Sequence, residues 1–204
     1  MLAGAAAGVL LVACAAATVR AAEKAKAASG GPLERTRQVL TESNRIVTGP
    51  DDRNQKLVKL KDLLRDFLDT DALAKKAMGK HLDGVPQAKV NEFYSVFREL
   101  FVRTYVQRLL LFDAPDFDYV GEKVSGDTGT VQTKIVTPKD EFAVDYQLRK
   151  SAQGWIATDV LVEDVSLAEN FRGQFDKALA RGSFDDLLTK LKNKLANKPN
   201  TEEL

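Results

Sequence analysis

Few residues in this chain are equipped for covalent or metal chemistry. A Ser-His-Asp relay has only His81 to use, and Gly79-Lys80-His81-Leu82-Asp83-Gly84 reads as a loop carrying a solvated histidine. The one cysteine, Cys14, excludes an intramolecular disulfide and a thiolate-rich zinc site. Asp113, Asp116 and Asp118 offer oxygens to a hard cation. Their spacing does not match an EF-hand, however, and Pro115 separates the first from the others, so they read as acids that end a helix. Asp51-Asp52 and Glu163-Asp164 are carboxylate pairs of the kind used in general acid–base work, but nothing in the sequence brings them to a shared pocket. No phosphate-cradling glycine loop, H-E-x-x-H or C-x-x-C pattern is present. With 30 Lys+Arg against 29 Asp+Glu, the chain lacks the basic excess of an electrostatic nucleic-acid binder. Its 204 residues, 44% of them hydrophobic, are enough for one real core. These counts describe a binding protein rather than an enzyme.

The elements around these residues follow from periodicity. Leu57, Leu60, Leu64 and Phe67 recur at helical spacing between Asp52 and Asp69, with lysines on the other face. A less regular helix is predicted over Leu33 to Val47, closed by Gly49-Pro50, and a short one over Asp71 to Met78, stopped by Gly79. A long helix is predicted from Pro86 in its first turn to about Phe112. Val90, Phe93, Phe97, Leu100, Phe101 and Tyr105 form its main stripe. Val102, Val106, Leu109 and Leu110 form a second edge, so this helix faces apolar surroundings on two sides.

After Pro115 the period changes to two. Four strands are predicted, over Phe117 to Val120, Thr130 to Thr137, Glu141 to Lys150 and Trp155 to Val162. The connections are short and rich in turn residues, so the strands form an antiparallel meander. Phe142, Val144, Tyr146 and Leu148 alternate with Ala143, Asp145, Gln147 and Arg149, which makes one face apolar and the other wet. Two helices follow. Ser166-Leu167-Ala168-Glu169 reads as a capping box, and Ser183-Phe184-Asp185-Asp186 as a weaker cap of similar form. The expected fold is α+β, a four-stranded antiparallel meander packed on one face against N- and C-terminal helices.

The N-terminus stands apart. Leu2 to Val19 is an uncharged apolar run, short and alanine-rich for a membrane span, and reads as the hydrophobic region of an export signal over residues 1–21. Val19-Arg20-Ala21 supplies small residues for cleavage, and losing Arg20 brings the net charge from +1 to zero. Leu11-Val12-Ala13-Cys14 also resembles a bacterial lipobox, which gives an alternative signal ending before Cys14. The expected organisation is then a flexible tether over 22–32, a single domain over 33–197 and a disordered tail over 198–204.

Leu100-Phe101-Val102-Arg103-Thr104-Tyr105, Val144-Asp145-Tyr146-Gln147-Leu148, Gly154-Trp155 and Asp159-Val160 occur in an order that resembles the MlaC, or toluene-tolerance, family. So does the run from Glu163 through Val165-Ser166-Leu167 to Asn170-Phe171-Arg172 and Gln174-Phe175. The likeness spans about residues 60–195, with Asp164 where the family usually has Gly and Phe171 where Tyr is commoner. The resemblance implies a periplasmic phospholipid carrier with an apolar cavity between the sheet and the helices. It implies shuttling between an inner-membrane ABC transporter complex and an outer-membrane lipoprotein–porin complex, which maintains outer-membrane lipid asymmetry. It implies no cofactor, no metal and no nucleic acid, with bound glycerophospholipid as cargo.

On that reading the expected lining is Phe67, Phe97, Phe101, Tyr105, Tyr119, Val131, Ile135, Val144, Tyr146, Trp155 and Val165. A monomer is expected. Two other classes stay open at this point. One is an envelope adaptor anchored through Cys14, and the other is an enzyme using the same α+β pocket.

Overall fold

The computed structural model describes residues 30–110, 116–138 and 140–197. The segments expected as export signal (1–21) and as tail (198–204), most of the expected tether and Asp113 lie outside the described residues. Helix α1 (Pro32–Thr48) begins inside the segment expected as tether, because Pro32 takes the first helical position and is buried. Helices α2 (Arg53–Phe67) and α3 (Thr70–Met78) follow. A 3-10 turn (Gly79–Leu82) then leads to the long α4 (Gln87–Leu109). Strands β1 (Asp116–Ser125), β2 (Thr128–Val136), β3 (Glu141–Ser151), β4 (Gly154–Val162) and β5 (Val165–Ser166) form one sheet in chain order. Each strand is antiparallel to the next. Helices α5 (Leu167–Leu179) and α6 (Phe184–Ala196) close the fold.

The α+β meander is therefore present, with a fifth strand of two residues added at its edge. A two-residue hairpin makes that strand. Glu163 and Asp164 both adopt left-handed backbone, at φ 50° and 63°, and Val165 returns to pair with Val162. Strand β1 runs five residues beyond its expected end at Val120. A register shift between Tyr119 and Gly121 sets Val120 out of the alternation that had marked the strand.

Helix α4 is buried on two sides. Phe93, Phe97 and Phe101 join a large cluster with α5, α6 and the sheet residues Val131, Val144, Tyr146, Leu148 and Trp155. Val102 and Val106 join a second cluster with Ile46 of α1 and Leu60 of α2. The sheet is held at two further points. Between α2 and α3, Leu68 forms a parallel bridge with Ala157 of β4, and the Asp69 N–H donates to the Ala157 carbonyl at 2.8 Å. At β2, Gly129 lies so near α1 that a Cβ there would come within 2.9 Å of Pro32 Cγ.

The helix caps depart from the expected ranking. Ser183 and Asp186 form the full reciprocal box, as do Asp52 and Gln55 at α2. At α5 only half of the Ser166 box forms. Ser166 Oγ accepts from the Glu169 N–H at 3.1 Å and donates to Asp159 Oδ2 at 2.6 Å. The Glu169 carboxylate turns instead to Arg172, 3.7 Å away.

Candidate functional site

The stripe that α4 turns toward the C-terminal helices is almost wholly aromatic. Phe93 meets Phe175 edge-on at 5.7 Å, Phe97 meets Phe171 edge-on at 5.1 Å, and Phe101 stacks on Tyr105 at 4.3 Å. Beside this ladder, α4, α5 and α6 leave an open cleft of about 310 Å³. Its wall is Phe97, Leu100, Phe101 and Tyr105 of α4, Phe171 and Phe175 of α5, and Leu191 of α6. Thr104, Asn170 and Gln174 add polar groups, and Arg108 and Lys194 complete the lining with two cations. Arg103 holds this end of the molecule together. Its Nη1 donates to the Leu195 carbonyl at 2.7 Å and its Nη2 to that of Lys194 at 2.6 Å, fastening the last turn of α6 to α4.

Of the expected lining residues, Phe97, Phe101 and Tyr105 share this cleft. Phe67, Val131, Val144, Tyr146 and Trp155 are buried in the core that continues from it to the sheet. Phe67 packs on Tyr146 at 5.6 Å. Burial drives the Tyr146 phenol far above its ordinary range, with the neighbouring Tyr119 adding to the rise and a hydrogen bond to Thr133 opposing it. Ile135 and Tyr119 are half-buried against the same core. Arg37 lies 4.0 Å over the Tyr119 ring, and Thr41 hydrogen-bonds its hydroxyl.

Val165 does not belong with them. It is 56% exposed, because the tight turn before it leaves β5 at the edge of the sheet. Phe171, Phe175 and Leu191 were absent from the expected lining, although their helical stripes are visible in the sequence. Nothing in one stripe tells which neighbour it will face.

The other large cavity, about 450 Å³, has a different character. Arg65, Asp69, Asp71, Arg98 and Glu99 line it, and Arg98 pairs with Asp71 at 2.7 Å and Arg65 with Glu99. Such a paired, charged surface does not suit an apolar ligand. His81 is partly exposed on the 3-10 turn and meets Asp176 of α5, with Nε2 2.6 Å from Oδ1. It is thus tied to a helix rather than simply solvated. No group of three or more metal-ligating side chains occurs among the described residues.

The MlaC protein family model matches residues 35–193, which is most of the chain. The chain belongs to the MlaC family. No curated protein matches it. Among solved structures, it is similar to a phospholipid-binding protein from Ralstonia solanacearum, determined in complex with a phospholipid. That likeness has a TM-score of 0.71 at 21% identity and covers 82% of this chain and 98% of the other. At that identity the neighbour establishes the fold. The MlaC match covers most of α1 through most of α6, and so includes every residue of the cleft's lining but Lys194. No described helix is long and apolar enough to cross a membrane.

Proposed function

We propose that this protein is a periplasmic phospholipid carrier, the mobile component of an ABC-type lipid transport system. It moves glycerophospholipid between the outer and inner membranes and so maintains outer-membrane lipid asymmetry. Its partners are an inner-membrane ABC transporter complex and an outer-membrane lipoprotein–porin complex, and it performs no covalent chemistry. The observation that carries this reading is the aromatic cleft, apolar along its wall and cationic at one end. Family membership and the phospholipid-bound neighbour support it.

Burying one CH₂ is worth about 0.8 kcal/mol, so one sixteen-carbon acyl chain represents roughly 12 kcal/mol. A phospholipid therefore does not cross water unaided at a useful rate. A bilayer solvates the same chains equally well, so exchange between membrane and carrier is nearly balanced. The acyl chains lie along Phe97, Phe101, Tyr105 and Phe171 and reach toward Tyr146 and Val144 when the helices part from the sheet. Tyr119 and Ile135 stand at the half-buried margin of that path, with Phe67, Val131 and Trp155 beneath it.

Extraction of the purified protein, followed by native mass spectrometry, tests the reading directly. One or two phospholipids should co-purify, or load from labelled vesicles. A protein that stays empty after mixing with vesicles overturns it.

A further inference from the structure

The cleft carries two cations that no acid neutralises among the described residues. Along α4, Lys89 pairs with Asp185 at 2.6 Å and Arg98 with Asp71 at 2.7 Å. On α6, Lys192 pairs with Glu92. Arg108 of α4 and Lys194 of α6 have no such partner among the described residues, and both line the cleft. The Arg108 guanidinium lies 5.3 Å from the centroid of the Tyr105 ring, a separation at which the ring attracts a cation. The Lys194 backbone is held to α4 by Arg103. The apolar wall thus shares its cleft with two positive charges, with the Thr104 hydroxyl and the Gln174 amide also in the lining.

A hydrocarbon needs no cation, and an isolated anion needs no aromatic wall. The pattern fits one molecule that has both parts. We infer that Arg108 and Lys194 bind the phosphodiester of the cargo, so that the lipid enters with its phosphate at this rim and its chains along the aromatic ladder. This deepens the carrier reading and rests on it. A guanidinium donates two parallel hydrogen bonds to phosphate oxygens, and the ammonium adds a compact charge. Selection therefore acts on the phosphate group: a diacylglycerol with identical chains gains nothing from the rim.

The test uses the full chain and its Arg108→Gln/Lys194→Gln double variant. Each is mixed with vesicles containing equal amounts of phosphatidylglycerol and diacylglycerol, and the loaded species are counted by native mass spectrometry. The wild-type protein should load phosphatidylglycerol in clear preference. The double variant should lose about tenfold of that loading, corresponding to about 1.4 kcal/mol, and keep its diacylglycerol loading. Added salt should weaken phosphatidylglycerol uptake by the wild type and leave the variant unchanged. Both positions are exposed, and circular dichroism should report unchanged helix content.

Phosphatidylglycerol loading within twofold of wild type in the double variant overturns the rim assignment and leaves the carrier reading standing. A wild-type protein that takes up no lipid overturns both. Inorganic phosphate alone, titrated by calorimetry, should not bind detectably. Phosphate binding that the double substitution abolishes would make the rim a free-anion site and remove the headgroup assignment.

Discussion

Lys76 Nζ on α3 lies 2.7 Å from Asp159 Oδ2 on β4, across 83 positions of sequence. Asp159 is 1% exposed, and its carboxylate also accepts from Ser166 Oγ at 2.6 Å and from the Ala168 N–H at 3.2 Å. One buried side chain therefore joins α3, the β4–β5 hairpin and the start of α5, the helix that supplies Phe171 and Phe175 to the cleft. Asp159→Ala should destabilise the protein by about 3 kcal/mol, since it removes the partner of Lys76 and strands three further donors, the Ser166 hydroxyl and the Val160 and Ala168 N–H groups. Lys76→Met should cost less, about 1 kcal/mol, because Ser166 and Ala168 continue to serve the carboxylate. Urea unfolding measures both, and equal costs would contradict this role for Asp159.

Asp164 sits at φ 63°, where a Cβ is strained and glycine is not. Asp164→Gly should stabilise the fold by about 1 kcal/mol, raising the melting midpoint by roughly 2–4 °C. Scanning calorimetry decides the sign. Glu163 is the less suitable position, because its Oε1 accepts from the Ala143 N–H at 2.5 Å.

Two cleft aromatics separate packing from cargo. Phe97 is 3% exposed in the core, and Phe97→Ala should cost about 3–4 kcal/mol of stability. Phe171 is only half-buried, so Phe171→Ala should cost less, about 1–2 kcal/mol. Yet it removes a wall of the cleft and should lower lipid loading severalfold. Native mass spectrometry beside thermal melts distinguishes the two effects.

Gly129→Ala places a methyl group against Pro32 at the first turn of α1. Neither the proline ring nor the sheet can yield freely, so a loss of about 1–3 kcal/mol is expected. Comparing urea midpoints for the variant and the wild type checks it.

The Ser183 backbone N–H and its hydroxyl both donate to Asp186, holding that carboxyl below its ordinary pKa. A folded value below the unfolded one, about 3.9, means the contribution is complete above that pH. It is lost as pH falls through the folded pKa. The N-terminus of α6 should therefore loosen in acid and be firm at neutral pH. Hydrogen exchange in the first turn of α6 should show this dependence, and Asp186→Asn should flatten it.

Much of this architecture can be read from one sequence. The α4 stripe, the alternation in β3 and the turn chemistry between strands are local patterns, and the elements they define formed close to their expected bounds, whereas β1 overran its own and β5 was not foreseen. The cleft was legible only in part. Phe93, Phe97, Phe101 and Tyr105 share one stripe, but Phe93 is sealed in the core while Phe97, Phe101 and Tyr105 line the cleft. That division depends on where α5 crosses α4, which no spacing within α4 records. Val165 was expected in the lining on the resemblance, and the left-handed Glu163 and Asp164 place it at the edge of the sheet, apart from the cleft. The Lys76–Asp159 pair joins residues whose local contexts give no sign of each other.

The small size of the cleft bears on how tightly cargo can be held. A volume of about 310 Å³ corresponds to about ten molecules of liquid water, and two acyl chains of membrane length do not fit in it. On the carrier reading, loading pushes a wall aside. Arg103 latches α6 to α4, and Asp159 and the Lys76 carbonyl hold the first turns of α5, so such an opening strains both ties. A lipid bound in this way would work against the recoil of the empty form, and its apparent affinity would fall by the fraction of molecules already open. A carrier built so would act as a sprung clasp, in which the recoil that resists loading also assists release.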